Sequence, residues 1–278
     1  MNVFFVCGAP KSGTTWLQRI LDAHPQVVCG GEGHFISRFT IPVAKVVNDY
    51  NEAMATENRL VYEGRPYYGP VDQAEYDDVA RNFVLNRLKS LKPGPQVLWV
   101  GDKTPRYTAY LKQLHRLFPE ARIISILRDP RDVVVSRMGY NRRAGRSEVF
   151  VQGSDQHEAT LQGALRTWRE AVTLVDEFAA ANPGLAHEVR YLDLHEDGPA
   201  AAARMFGFLG VDAGPQVVDK ALAAASFEAL TGRKPGEEDP DAFLRQGLPG
   251  DWKNRLDPAT VRTVLESCGE LMRAKGMI

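Results

Sequence analysis

Five uncharged residues, Val3 to Cys7, run straight into Gly8-Ala9-Pro10-Lys11-Ser12-Gly13 and then into an apolar-periodic segment. This junction constrains the fold more than any other part of the chain. A short run without charge reads as a strand buried on both faces. Trp16, Leu17, Ile20 and Leu21 share one helical face, and Pro25 closes that pattern after His24. A strand, a glycine-bearing turn and a helix in this order make an anion site: the free N–H groups of the first helical turn and the positive end of the helix dipole both face the loop.

The spelling of the turn narrows the anion. Gly8 and Gly13 keep the spacing of a nucleoside-triphosphate loop, Gly-x-x-x-x-Gly-Lys-Ser/Thr, but Thr14 stands at the lysine's place and the loop's cation is Lys11. A dinucleotide fingerprint needs glycine at position 10, where Pro10 blocks close approach of a pyrophosphate. What remains is a cation at the tip of the loop and three hydroxyls, Ser12, Thr14 and Thr15, beside the helix amides.

A length of 278 residues with 44% hydrophobic content is enough to bury a large core, and one domain over 1–278 is expected. The net charge of −1 supplies no broad basic footprint for nucleic acid. Cys7, Cys29 and Cys268 are too few and too scattered for a disulfide framework or a zinc site, so a reducing cytoplasm is expected. No apolar stretch approaches the roughly 20 residues of a membrane span, and the first one lacks the basic flank of a signal peptide.

Further strands are expected at Val27–Cys29, Val97–Val100, Arg122–Leu127 and Val189–Leu192. Helical faces follow from Asp77 to Leu91, Tyr107 to Phe118, after Pro130, through Leu161 to Val175, around Met205 to Leu209, and through Val261 to Met272. The sixty residues after Glu32 are less regular, apart from the helical spacing at Asp77 to Leu91, with Tyr62, Tyr67 and Tyr68 among glycines and prolines, and Arg142–Asp155 and Gly232–Asp251 read as loops. Strands alternating with helices predict an α/β, three-layer, P-loop-like fold: a central, mainly parallel sheet flanked by helices, with ligands outside the strands' carboxyl ends.

Residues Pro10 to Leu17, PKSGTTWL, resemble the 5′-phosphosulfate loop of cytosolic sulfotransferases, enzymes that use 3′-phosphoadenosine 5′-phosphosulfate (PAPS). Arg128-Asp129-Pro130-Arg131-Asp132 with Ser136 is similar to the family's 3′-phosphate motif, in which an arginine and a serine eight positions later hold that phosphate. Arg245-Gln246-Gly247 followed by Gly250-Asp251-Trp252-Lys253-Asn254 resembles the family's carboxyl-terminal nucleotide segment, with Gln246 in place of a lysine. Tyr191, in Tyr191-Leu192-Asp193-Leu194, and Phe227, after Ser226, resemble residues that approach adenine, Phe227 facing Trp16 across the base.

The resemblance splits at the base. Cytosolic enzymes carry Lys-Thr-His, and here Lys103-Thr104-Pro105 keeps the lysine without the histidine. Leu21-Asp22-Ala23-His24-Pro25 and Cys29-Gly30-Gly31-Glu32 are instead similar to tyrosylprotein sulfotransferases, whose base is a glutamate, which implies Glu32. His34 and Asp102 are the alternatives. The resemblance therefore implies sulfuryl transfer from PAPS to a hydroxyl or phenol of a diffusible acceptor, releasing 3′-phosphoadenosine 5′-phosphate (PAP), with Lys11 and Lys103 stabilising charge and no metal. Competing readings are a P-loop kinase, which needs a cation at position 14 and a metal-binding carboxylate, and a PAPS or PAP sensor without catalysis. Expected acceptor walls are Phe35–Phe39, the Tyr62–Tyr68 loop and Arg142–Asp155.

Overall fold

The computed structural model describes residues 2–65 and 67–278. The strands β1 (Asn2–Gly8), β2 (Val27–Gly30), β3 (Trp99–Lys103), β4 (Arg122–Leu127) and β5 (Ala186–Arg190) form one parallel sheet in the order β2-β3-β1-β4-β5. The helices of the first half are α1 (Thr14–Asp22), α2 (Ile41–Leu60), α3 (Gln73–Lys89), α4 (Leu111–Leu117) and α5 (Pro130–Arg143). They are followed by α6 (Asp155–Ala181), α7 (Tyr191–Glu196), α8 (Gly198–Leu209), α9 (Pro215–Ala224), α10 (Phe227–Thr231), α11 (Trp252–Arg255) and α12 (Pro258–Ala274).

The uncharged run Val3 to Cys7 becomes the middle strand because both of its faces are covered. Phe4 and Val6 pack with Leu17, Ile20 and Leu21 of α1 and with Met205 and Phe206 of α8. Val3, Phe5 and Cys7 point the other way, toward Val84 and Leu88 of α3, Leu114 of α4 and Val175 of α6. Phe4 and Phe5 are wholly buried, and each such side chain contributes on the order of 1.5–3 kcal/mol to the core. A third cluster joins α5, α6 and α12 through Val134, Trp168, Val264 and Met272.

Several expected boundaries move. The third strand, read as Val97–Val100, is Trp99–Lys103, because the ladder to β1 runs on to the pair Val6 with Lys103. Its polar end, Gly101-Asp102-Lys103, is buried although its composition reads as a loop. The last strand, read as Val189–Leu192, is Ala186–Arg190, paired with β4 from Ile123 to Leu127. As a half-covered edge strand it has no apolar run to mark it, and Tyr191 instead opens α7. Within the stretch read as irregular, a π-helical turn at Ile36–Thr40 leads into α2, none of whose residues is buried. Its core-facing residues, Val43, Ala44 and Val47, are only partly covered and confined to its first turns, so α2 carried little periodic signal. α3 begins four residues earlier than expected, at a capping box in which Asp72 accepts from the Glu75 N–H and Glu75 accepts from the Asp72 N–H.

Candidate active site

A parallel sheet sends every strand's carboxyl end to one edge, so five segments far apart in sequence meet there. They are the loop after β1 (9–13), the turn after β2 (31–34), the start of the segment after β3 (104–106), Arg128 after β4, and Tyr191 after β5. They surround a cavity of about 690 Å³. Among the described residues its charged lining is Lys11, Arg106, Arg128, Arg137, Arg143 and Arg245 against a single carboxylate, Glu32. A cavity so lopsided in charge suits a polyanion.

The helix α1 is built to receive part of that charge. Gly13 sits at its N-cap in the left-handed region (φ 101°), no side chain caps the helix, and no acidic residue occupies its first turn. Its N–H groups are thus left for a ligand. A Cβ at Gly13 would lie 2.7 Å from the Tyr191 ring, so glycine is required both by conformation and by space. Thr14, Thr15 and Trp16 line the cavity. Ser12 does not: it is fully buried on the sheet side of the loop, its N–H bonds to the Ala9 carbonyl, and its Oγ has no partner.

Lys11 has φ 80°, and its ammonium rests over the rings of Tyr140 (5.0 Å) and Phe243 (4.6 Å). Burial, with Arg143, Arg137 and Arg128 adding repulsion, lowers its pKa to about 8. Lys103, only 4% exposed, donates from Nζ to Glu32 Oε1 at 2.8 Å and to Thr15 Oγ1 at 3.3 Å. This contact joins the ends of β2 and β3 to the first turn of α1. Glu32 Oε2 lies 3.3 Å from His34 Nε2, and the Glu32 side chain remains 40% exposed, so the carboxylate keeps an open side toward the cavity.

Asp102 is placed behind these groups. Its Oδ2 accepts from Tyr107 Oη (2.8 Å) and Thr104 Oγ1 (2.9 Å), and its Oδ1 accepts from the Gly33 N–H (3.0 Å). Burial pushes its pKa up to about 6 against these hydrogen bonds, which favour the carboxylate. With both oxygens occupied by protein donors, it holds the turn carrying Glu32 and His34 and is not placed as a base. The His34 N–H donates to Thr104 Oγ1 at 3.3 Å, which fixes the same turn from its other end.

At the far side, Arg128 donates to the carbonyls of Lys11 (3.4 Å) and Leu248 (3.3 Å), and its guanidinium lies 4.2 Å from the Tyr191 ring centre. Its Nε is buried without a partner. Ser136, two turns along α5, lines the cavity with it. Trp16 donates from its indole N–H to the Ala225 carbonyl and packs on Tyr191 and His195, and Phe227 also lines the cavity. His195 was not foreseen, although Tyr191 and His195 stand four apart, as one face of a helix requires. Burial, then Arg128, lowers its pKa to about 4, so it presents a neutral ring.

Residues 233–248 form the last wall. Arg143 donates to the Ala242 carbonyl (2.7 Å) and Arg233 to those of Glu237 and Arg245 (2.8 Å each), while Asp132 accepts from the N–H groups of Gly250 (2.8 Å) and Trp252 (3.1 Å). Gly247, at φ 71°, packs so closely that a Cβ there would lie 2.4 Å from the Phe227 ring. Arg245 reaches the cavity, but its guanidinium pairs with Glu238 (2.7 Å) and Asp251. The Gln246 amide, oriented to donate, also reaches Asp251, at 3.1 Å.

The expected acceptor walls are corrected. Tyr67 and Tyr68 are exposed and away from the cavity, with Tyr62 packed edge-on against Tyr67. Phe35 and Phe39 pack against Phe83 over the sheet, and from 142–155 only Arg143 reaches the cavity. Pro105, Tyr140 and Phe243 are among the apolar residues that line the cavity instead, Tyr140 and Phe243 against the Lys11 ammonium.

No helix among the described residues is long and apolar enough to cross a membrane. The chain resembles a putative protein-tyrosine sulfotransferase of Caenorhabditis briggsae, at 30% identity over 56% of the chain and 51% of the relative. It also resembles human protein-tyrosine sulfotransferase 1, at 27% identity over 62% of the chain and 41% of the relative. It thus spans about half the length of these relatives or less. The fold matches the crystal structure of mouse sulfotransferase SULT7A1 complexed with PAP, with a TM-score of 0.60, 19% identity, and coverage of 98% of this chain and 85% of that one. A sulfotransferase family model matches residues 4–215, well over half of the sequence, and the chain belongs to the sulfotransferase family.

Proposed function

We propose that this protein, acting as one domain over residues 1–278, transfers the sulfuryl group of PAPS to a hydroxyl or phenol of a small diffusible acceptor and releases PAP. The observation that carries this reading is the contact of Lys103 with both Glu32 and Thr15, which sets a carboxylate beside an uncapped helix N-terminus in a cation-lined cavity. The α1 amides with Thr14 and Thr15 would hold the 5′-phosphate, and Arg128 with Ser136 the 3′-phosphate. Trp16, Tyr191 and Phe227 form the base slot, with the backbone around Gly247 closing it. Arg245 and Gln246 shape that segment through Asp251.

In the transfer, the acceptor oxygen attacks sulfur, the sulfur–oxygen bond to the 5′-phosphate breaks, and the acceptor's proton passes to Glu32. Lys103 and Lys11 offset the charge that develops on the bridging and sulfuryl oxygens. No metal takes part in this scheme. A phenol acceptor is supported by the relatives named for protein tyrosine. The buried free thiols of Cys7, Cys29 and Cys268 support a cytoplasmic, reducing setting. The kinase reading finds less support: position 14 is threonine, and the oxygens of Asp102 are taken up by Tyr107, Thr104 and Gly33.

Calorimetric titration with PAP, ADP and ATP, each in EDTA and in excess Mg²⁺, tests the assignment together with transfer of labelled sulfate from PAPS to phenols. PAP is expected to bind equally in both buffers and more tightly than either other nucleotide. Preferential binding of ATP with Mg²⁺ would overturn it.

Nucleotide binding is also expected to weaken in alkali. Lys11 has a pKa of about 8 when free of ligand, and a bound anion raises it, so above pH 8 binding must take up a proton. Affinity for PAPS should then fall toward about tenfold per pH unit between pH 8 and 10, and stay flat from 6.5 to 7.5. In Lys11→Met that slope should vanish; its persistence would assign it to another group.

A further inference from the structure

The inference rests on the proposed function and concerns its acceptor. Arg106 follows the catalytic-side segment Lys103-Thr104-Pro105, and Arg137 follows Ser136 on α5; both line the cavity. Among the described residues the arginine ion pairs occupy Arg116, Arg128, Arg131, Arg204, Arg245 and Arg255, so that Arg106, Arg137 and nearby Arg146 are among the arginines without a carboxylate, as is Arg143, whose guanidinium instead donates to the Ala242 carbonyl. Arg137 is half-buried, and burial with repulsion from Arg106 and Arg146 lowers its pKa. Arg106 and Arg146 are exposed, so the desolvated member of the group is Arg137, and an anion entering the cavity would relieve its unpaired charge.

The nucleotide's own charges have other hosts, Arg128 with Ser136 at one phosphate and the loop with α1 at the other. Arg106 directly follows Pro105, and Arg137 is close to both Arg106 and Tyr140; all four line the cavity that Glu32 also lines. A cavity of about 690 Å³ that also takes a nucleotide leaves room inside it for about one ring or sugar-sized group. We propose that the acceptor is a small hydroxyl or phenol compound bearing its own carboxylate or other anionic group, which Arg106 and Arg137 receive while Glu32 meets the hydroxyl. The guanidinium fork matches a carboxylate geometrically, and the pair would set the acceptor's orientation as well as its affinity.

The test uses the whole protein saturated with PAP, which first establishes that the nucleotide binds. Failure of PAP to bind would count against the proposed function, not against this assignment alone. Onto that complex are titrated 4-hydroxybenzoate, 4-hydroxyphenylacetate and 3-(4-hydroxyphenyl)propionate, each beside its neutral alcohol, and a tyrosine peptide with acidic neighbours. At least one acid is expected to bind about tenfold or more tighter than its alcohol, with the same preference in kcat/KM when PAPS replaces PAP. Arg137→Gln and Arg106→Gln should each erase most of that preference while PAP affinity stays within about twofold. Equal binding of every acid and alcohol, loss of PAP affinity in step with the acid preference, or tighter binding of the peptide than of any acid would overturn it.

Discussion

Glu32→Gln is expected to lower turnover by about 10²-fold or more while PAP affinity is unchanged. Glutamine keeps the length of the side chain and an oxygen that can accept from Lys103 at the present 2.8 Å, so the wall keeps its shape. What it loses is the capacity to take the acceptor's proton. The carboxylate is suited to that step because Lys103 fixes one oxygen and His34 lies against the other, while the side chain stays open to the cavity. Single-turnover rates with PAPS and a phenol, set beside calorimetry with PAP, separate chemistry from binding. Near-normal turnover would move the base to His34, since the oxygens of Asp102 already accept from Tyr107, Thr104 and Gly33.

Arg128→Ala is expected to weaken PAP by roughly 1.5–3 kcal/mol, about 10- to 150-fold, while leaving a nucleotide that lacks the 3′-phosphate bound as before. The buried, unpartnered Nε of Arg128 and its neighbour Ser136 mark a donor set awaiting an anion. Arg128 also bonds to the Lys11 and Leu248 carbonyls, so a loosening of those two walls is the competing cause of any loss. Comparing the two nucleotides separates these effects. An equal loss for both would show that Arg128 acts by tying the loop and the 233–248 segment together. Arg128→Lys should recover part of the charge but not the fork that spans both walls.

What could be read in advance follows from how local each cause is. The run Val3 to Cys7 was legible as a doubly covered strand because it is short, uncharged, rich in Val and Phe, and stops at a glycine-bearing turn. The glycines of the turn and the helical spacing after them are local too, and so was the anion site at α1. The edge strand β5 was misplaced by residues because its half-exposed faces leave only the ladder to β4 to define it. The helix α2 escaped notice because the few residues it packs on the core, Val43, Ala44 and Val47, are only partly buried and lie in its first turns.

The sequence by itself determined the layered parallel sheet, the loop cation Lys11 and the motif around Arg128, since each is carried by neighbours in the chain, and through its resemblance it named Glu32 as the candidate base ahead of His34 and Asp102. Only the tertiary structure decided that Lys103 reaches across 71 positions to Glu32, that Asp102 is a support filled by donors, and that Ser12 turns inward. It also decided that the tyrosines at 62–68 stand apart from the cavity while Arg106 and Arg137 face it. The physical reason is the shared edge of the parallel sheet: spacing within a segment fixes which way its own side chains point, but which segments meet depends on strand order, and strand order is set by the packing of the whole core.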